Sequence, residues 1–362
     1  MSNRIFNFSA GPCTLPLPAL EKAAGEFVEF QGSGMALIEM SHRGKIYDAV
    51  HQGALAVFRE LLAVPESHDV LFLQGGATLQ FAMIPMNLMA EGRPADYVNT
   101  GAWAKKAIAD ARKLGTTRVT WTGEEQKFTR MPRPEEIAAG ADASYVHLCG
   151  NETIGGIEMH EFPDTGDVPL VVDMSSHIMS RPVDWKRVDV AYAGAQKNLG
   201  PAGLAVVVIR KDLLERSPES LPAYLSYKVH AKDTSLYNTP PVFAIYMMKL
   251  TLEWVKEIGG LAAVEKLAVA RSGAIYRAID GSEGWYRCPV DTASRSRMNV
   301  VWRLPSEDLE KKMIEEAGKA GFSGLKGHRS VGGLRASMYN AMPVEGAEKL
   351  AAFMADFRRK NA

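Results

Sequence analysis

Between residues 65 and 210 short apolar runs alternate with amphipathic stretches, and no other feature restricts the fold as much. The apolar runs fall at 70–73, 96–98, 118–121, 145–148, 170–172, 188–192 and 205–209. Each has the length of a strand, and stretches of helical periodicity such as 102–113 lie between them. Strands alternating with helices predict a mostly parallel sheet flanked by helices, an α/β architecture. The proline-rich and polar segment 217–241 interrupts the pattern. Helical stretches follow at 242–258, 261–279, 307–320 and 345–359, with one strand-like run at 298–302. The expectation is a large sheet domain over 1–258 and a smaller α+β domain over 259–362, with residues 1–15 free to pack against the smaller one.

Composition excludes several classes. Lys+Arg and Asp+Glu number 42 each, so the net charge is zero. That argues against nucleic acid or a membrane surface as the main partner, and any cationic site must be local. The three cysteines, Cys13, Cys149 and Cys288, are far apart and lack CxxC spacing. They fit the reduced thiols of a cytoplasmic protein and supply neither a metal site nor a disulfide framework. Residues 1–8 lack the apolar core of a signal peptide, and no apolar run reaches membrane-spanning length.

Lys197 stands in unusual company: Tyr192-Ala-Gly-Ala-Gln-Lys-Asn-Leu-Gly-Pro-Ala-Gly203, followed by an apolar strand. A lysine shielded from water loses its charge more readily, and its amine becomes a nucleophile and base. Small neighbours let a flat ring approach the backbone. Upstream, Asp173 ends the run Pro169-Leu-Val-Val-Asp173, at the strand edge where open α/β sheets bind ligands. The pairing suggests a lysine that holds pyridoxal phosphate (PLP) as a Schiff base and a carboxylate that keeps the pyridine nitrogen charged. A core-edge lysine paired with any acid fits the same residues, and both readings stand at this point.

Other segments carry the same double reading. Gly75-Gly76-Ala77-Thr78 joins a strand to a helix and offers backbone N–H groups, a helix N-terminus and a hydroxyl to an anion. It is also a plausible plain βα turn, and it is neither a P-loop nor GxGxxG. Trp103 follows a strand and could stack on a planar ring or simply fill a core. Thr153, in Gly150-Asn-Glu-Thr-Ile-Gly-Gly156, could reach a cofactor oxygen or serve a polar loop. Cations recur at Ser41-His-Arg-Gly-Lys45, at Gly327-His-Arg-Ser330 and at Arg335. Arginine grips carboxylate and phosphate in a two-pronged geometry, so such clusters suit a doubly anionic substrate as well as a solvated surface.

The ordered set Phe6-Asn-Phe-Ser-Ala-Gly-Pro12, Ser41-His-Arg-Gly-Lys45, Gly194-Ala-Gln-Lys-Asn198, Tyr237-Asn-Thr-Pro240 and Gly327-His-Arg-Ser-Val-Gly-Gly-Leu-Arg335 resembles, nearly end to end, the phosphoserine aminotransferase family of class V PLP-dependent aminotransferases. The resemblance implies a fold-type-I PLP enzyme, a homodimer with sites at the subunit interface. It implies amino transfer from L-glutamate to 3-phosphohydroxypyruvate in serine biosynthesis, with 4-phosphohydroxythreonine, on the route to pyridoxine, as a possible second substrate. Carried onto this chain, Lys197 matches the Schiff-base lysine and Asp173 the pyridine-nitrogen partner. Gly76, Ala77, Thr78, Trp103, Thr153 and Gln196 match cofactor positions, and Asn238 and Thr239 match positions that reach the cofactor phosphate from the neighbouring subunit. Ser9, His42, Arg43, His328, Arg329 and Arg335 match the substrate side. Thr78 is a departure, since some members carry arginine there.

Rival expectations are few. A glyoxylate-using aminotransferase would not need three cationic clusters. A cysteine desulfurase needs a reactive thiol, for which Cys288 is the only late candidate. A non-catalytic PLP-binding scaffold would show no half-reaction with glutamate. A nicotinamide oxidoreductase would need the missing glycine fingerprint.

Overall fold

The computed structural model describes residues 4–362. A seven-stranded sheet forms its centre. In chain order its strands are β1 (His68–Gln74), β2 (Ala95–Asn99), β3 (Thr117–Thr122), β4 (Val146–Cys149), β5 (Leu170–Asp173), β6 (Val190–Gly194) and β7 (Leu204–Arg210). Their spatial order is β1-β7-β6-β5-β4-β2-β3, and only β7 runs antiparallel to its neighbours. β4, β5 and β6 are buried at every residue, as near-continuous runs of Val, Leu and Ala require in a sheet covered on both faces. β3 is polar and half exposed because it is the edge.

Side chains alternate between the two faces, and each face has its own core. Val70, Phe72, Leu148, Val172 and Val206 point to a layer shared with α2 (Lys45–Leu62) and α5 (Val242–Glu257). Leu71, Leu73, Tyr97, Val171 and Val207 point to the other, shared with α3 (Gly76–Leu88) and α4 (Ala102–Ala111). A short helix, α1 (Leu17–Gly25), packs beside α5.

All seven expected strands are present. Their ends shift by at most two residues; at β6 the start moves from 188 to Val190, and the Asp189 carboxylate just before it accepts the Leu170 N–H at 2.7 Å. The crossover from β5 to β6 is a run of turns instead of a helix. Ser176 there donates to the Asn151 carbonyl at 2.7 Å, and the Ser175 hydroxyl accepts the Gly194 N–H at 3.2 Å. Helix α2, 18 residues long, lies upstream of the alternating region and escaped the strand–helix reading.

A further core gathers α6 (Gly260–Asp280), β8 (Asn299–Trp302), α7 (Glu307–Lys319), β9 (Leu334–Ser337) and α8 (Val344–Asn361) around Ile275, Trp302, Met313 and Phe357. The strand Phe6–Asn7 pairs in parallel with Phe322–Ser323, and Phe8 enters this core. The N-terminal segment thus packs on the C-terminal elements. Residues 1–3 of the expected large domain lie outside the described residues. Among the described residues no helix is long and apolar enough to cross a membrane.

Candidate active site

The carboxyl ends of the parallel strands open into a cavity of about 480 Å³. That edge is where open α/β sheets collect ligands, because helix N-termini and strand-end loops converge there. Asp173 is the last residue of β5, and Lys197 lies just past β6. Both line the cavity.

Lys197 is 8% exposed, and its Nζ donates to Thr153 Oγ1 at 2.8 Å. Burial lowers its pKa, partly opposed by Asp173, Cys149 and Glu152. Asp173 is 4% exposed and accepts the Ser175 N–H at 2.8 Å. Burial raises its pKa, and the Ser175 bonds, with Lys197, pull it back. The result is an acid and an amine enclosed in one low-dielectric space, each biased toward neutrality and each able to gain charge with a partner.

The turn after β1 supplies a cradle. Gly75 and Gly76 both take left-handed φ, 84° and 61°, a pair of conformations that glycine alone adopts cheaply. No side chain caps α3, so its first-turn N–H groups remain available to an anion. Gly76, Ala77 and Thr78 line the cavity.

Trp103 forms another wall, in the first turn of α4, with its ring centroid 5.5 Å from Lys197 Nζ. Its Nε1 is buried without a partner. Gln196 and Thr153 also line the space. From the C-terminal elements Arg335, on β9, donates to the Thr153 carbonyl at 3.2 Å, while its Nε is buried and unpartnered. Burial lowers its pKa, and it has no carboxylate partner among the described residues. His328 lines the same cavity, and its Nδ1 contacts Ser330 Oγ at 2.7 Å. Burial, then Arg335, Arg329 and Lys106, depress its pKa.

Six expected residues are not among those lining the cavity: Ser9, His42, Arg43, Asn238, Thr239 and Arg329. Ser9 faces a separate shallow pocket with Cys13 and Thr14. Arg43, Thr239 and Arg329 are exposed. His42 is half-buried with an unpartnered Nε2. Asn238 lines a narrow cleft beside Gln74, whose Nε2 donates to the Thr239 carbonyl at 3.0 Å.

Two residues at this site escaped the sequence reading. Lys106 holds its Nζ 4.3 Å from the Trp103 ring centroid. Its position one turn after Trp103 was the available signal. Glu152 is buried, and its carboxylate accepts the N–H groups of Trp103 and Ala104. Nothing local in the sequence marks that contact. Cys288 lies outside the cavity lining, and burial raises its pKa, the opposite of an activated thiol.

The chain belongs to the aminotransferase class-V family, which it matches over residues 5–350. Within it, a phosphoserine aminotransferase of Geobacillus kaustophilus (strain HTA426) is 52% identical over 359 residues, 99% of each chain. A solved phosphoserine aminotransferase from Bacillus circulans subsp. alkalophilus is 51% identical, covers 100% of both chains and superposes with a TM-score of 0.98. A PLP-bound phosphoserine aminotransferase from Trichomonas vaginalis is 40% identical, covering 97% of this chain and 100% of that one, with a TM-score of 0.92. An alanine–glyoxylate aminotransferase from Nostoc shares the fold alone, at 15% identity and a TM-score of 0.74.

Proposed function

We propose that this protein is a PLP-dependent aminotransferase that moves the amino group of L-glutamate to 3-phosphohydroxypyruvate, giving O-phospho-L-serine and 2-oxoglutarate. The observation that carries the reading is the buried Lys197–Thr153 pair facing Asp173 across one cavity. Relatives named phosphoserine aminotransferase, 52% and 51% identical over nearly the full chain, support the substrate pair.

The residues present fit the cofactor. Asp173 offers a buried carboxylate for a pyridine nitrogen, Trp103 a flat face for its ring, and the uncapped start of α3 a seat for its phosphate. Lys197 is the residue that would hold it covalently. When bound, PLP supplies an electron sink for charge that develops at the amino acid's Cα.

The chain's own groups do the rest. Burial keeps the Lys197 amine readily deprotonated, so Nζ can take a proton from the substrate Cα and return one. Thr153 Oγ1 fixes where that nitrogen sits. Asp173 is the residue that would keep a pyridine nitrogen protonated, because a buried carboxylate gains most from a cationic partner. Arg335 binds a substrate carboxylate, with a free Nε and no competing acid. His328, with Arg329, His42 and Arg43, receives the second anion, the side-chain carboxylate of glutamate or the phosphate of the keto acid. 4-Phosphohydroxythreonine presents that same anion and fits the same reading.

A homodimer completes this picture. Exposed Phe27, Val28, Met35, Ile38 and Ile46 lie on the N-terminal segment with His42 and Arg43, and exposed Tyr237 precedes Asn238. Phe27 packs edge-on against Phe243 of α5, six residues beyond Tyr237. Exposed apolar residues near polar site residues that do not line the main cavity are what a shared interface presents. A division into domains at residues 258/259 and a cytoplasmic location, consistent with three free cysteines, belong to the same reading.

The test mixes purified protein with PLP and glutamate and follows the cofactor spectrum, then adds 3-phosphohydroxypyruvate and assays phosphoserine. No spectral change in the first step refutes aminotransfer. A half-reaction without phosphoserine refutes the substrate.

A further inference from the structure

We propose that Glu152 is a positioning residue for the cofactor site: its buried carboxylate closes the N-terminus of α4 and so fixes where the backbone presents Trp103 at the cavity wall. The proposal rests on the PLP reading and adds a residue that is itself not among those lining the cavity.

Helix α4 starts from Gly101, which has no side chain to cap it. The cap comes instead from Glu152, 49 positions beyond Trp103. The Trp103 N–H donates to both Glu152 oxygens, at 3.1 and 3.0 Å, and the Ala104 N–H donates to Oε1 at 2.9 Å. A Cβ on Gly101 would stand 2.8 Å from the Glu152 Cδ, so glycine there makes room for the carboxylate. An anion at a helix N-terminus satisfies orphan N–H groups and the positive end of the helix dipole together. Because the backbone N–H of Trp103 is held, the Cα–Cβ bond from which its indole projects is fixed in place, while the ring's own Nε1 has no partner.

The next residue ties the other walls. Thr153 Oγ1 takes the Lys197 Nζ and its carbonyl takes Arg335. Glu152, at the end of the short strand Asn151–Glu152, and Thr153 just after it therefore connect the segment bearing Trp103, the lysine and the substrate-side arginine. Burial pushes Glu152 up to about 7, against the N–H bonds that favour its ionised form. An apolar residue would avoid that cost but could not accept three hydrogen bonds.

The test compares wild type, Glu152→Ala and Glu152→Gln, each with and without Trp103→Phe. Near-UV circular dichroism of the apoproteins gives the Trp103 signal by difference, and titration gives the PLP Kd. Glu152→Ala is expected to erase most of the Trp103 signal and raise the Kd about tenfold. Glu152→Gln, whose amide oxygen still accepts, should recover most of both. With Trp103→Phe the effect of Glu152→Ala on the Kd should shrink to about twofold or less. An unchanged Trp103 signal overturns the proposal, as does an equal loss of affinity with and without Trp103. If Glu152→Ala fails to fold, Glu152→Gln carries the same comparison. If wild type binds no PLP, the functional reading falls, while the apoprotein signal still decides for or against the cap.

Discussion

The lysine side of the cavity and its cationic side are built differently. Lys197, Asp173, Thr153 and Glu152 are buried, and each is held by a hydrogen bond from within the same chain. His42, Arg43, Arg329 and Thr239 are half-buried or exposed and lie off the cavity. Only Arg335 and His328 bridge the two regions. On the proposed function the difference follows from the physics of each job. Tuning an amine and an acid requires low dielectric and fixed partners, which a strand edge supplies. Gripping a mobile dianion requires several cations close together, which repel one another until the anion arrives, so they are kept solvated or apart.

Four experiments probe this contrast. The largest effect falls on the buried side: Lys197→Ala should lower transamination by roughly 10⁴-fold and remove the yellow absorption of the bound cofactor. Turnover near wild type in a stopped-flow assay would break the comparison at its root. Next comes the bridge. Arg335→Ala should raise the KM for both substrates by roughly 10- to 100-fold, and Arg335→Lys should recover little, since a lysine cannot grip a carboxylate with two prongs. A change confined to kcat would move Arg335 out of the binding role.

A smaller effect is expected on the dispersed side. Asn238→Ala should weaken PLP binding by about tenfold or less and sharpen the fall of activity on dilution, read by sedimentation and assay together. Dilution-independent activity in both proteins would argue that one chain suffices. The smallest effect is in the apoprotein. Because burial lowers the Lys197 pKa below its unfolded value, the unfolded chain binds the extra proton between the two, and stability rises with pH across that window. Apo Lys197→Met should therefore be more stable than apo wild type at neutral pH, with the gap closing toward the ordinary lysine range. Denaturant midpoints at several pH values would show it, and a gap that widens with pH has the wrong sign.

The strands were legible because each is a local apolar run bounded by turn residues. Asp173 and Lys197 were legible because an acid ending such a run, and a lysine amid glycine and alanine, are anomalies visible at short range. Glu152 was not. Its meaning lies in hydrogen bonds to Trp103 and Ala104, which no periodicity encodes. Lys106 looked like one more charge on a helix until the fold set it over an indole. Helix α2 was missed because it lies outside the alternating region, although it covers one face of the sheet against α5.

By itself, then, the order of residues determined the α/β layering, the lysine, its acid and the glycine turn between strand and helix, since these depend on neighbours a few positions apart. Only the tertiary structure decided which side chains share the cavity, that a carboxylate from one hairpin caps the helix bearing Trp103, and that the N-terminal strand lies on the C-terminal elements. Those outcomes depend on burial and on contacts between distant segments, and both exist only once the chain has closed on itself.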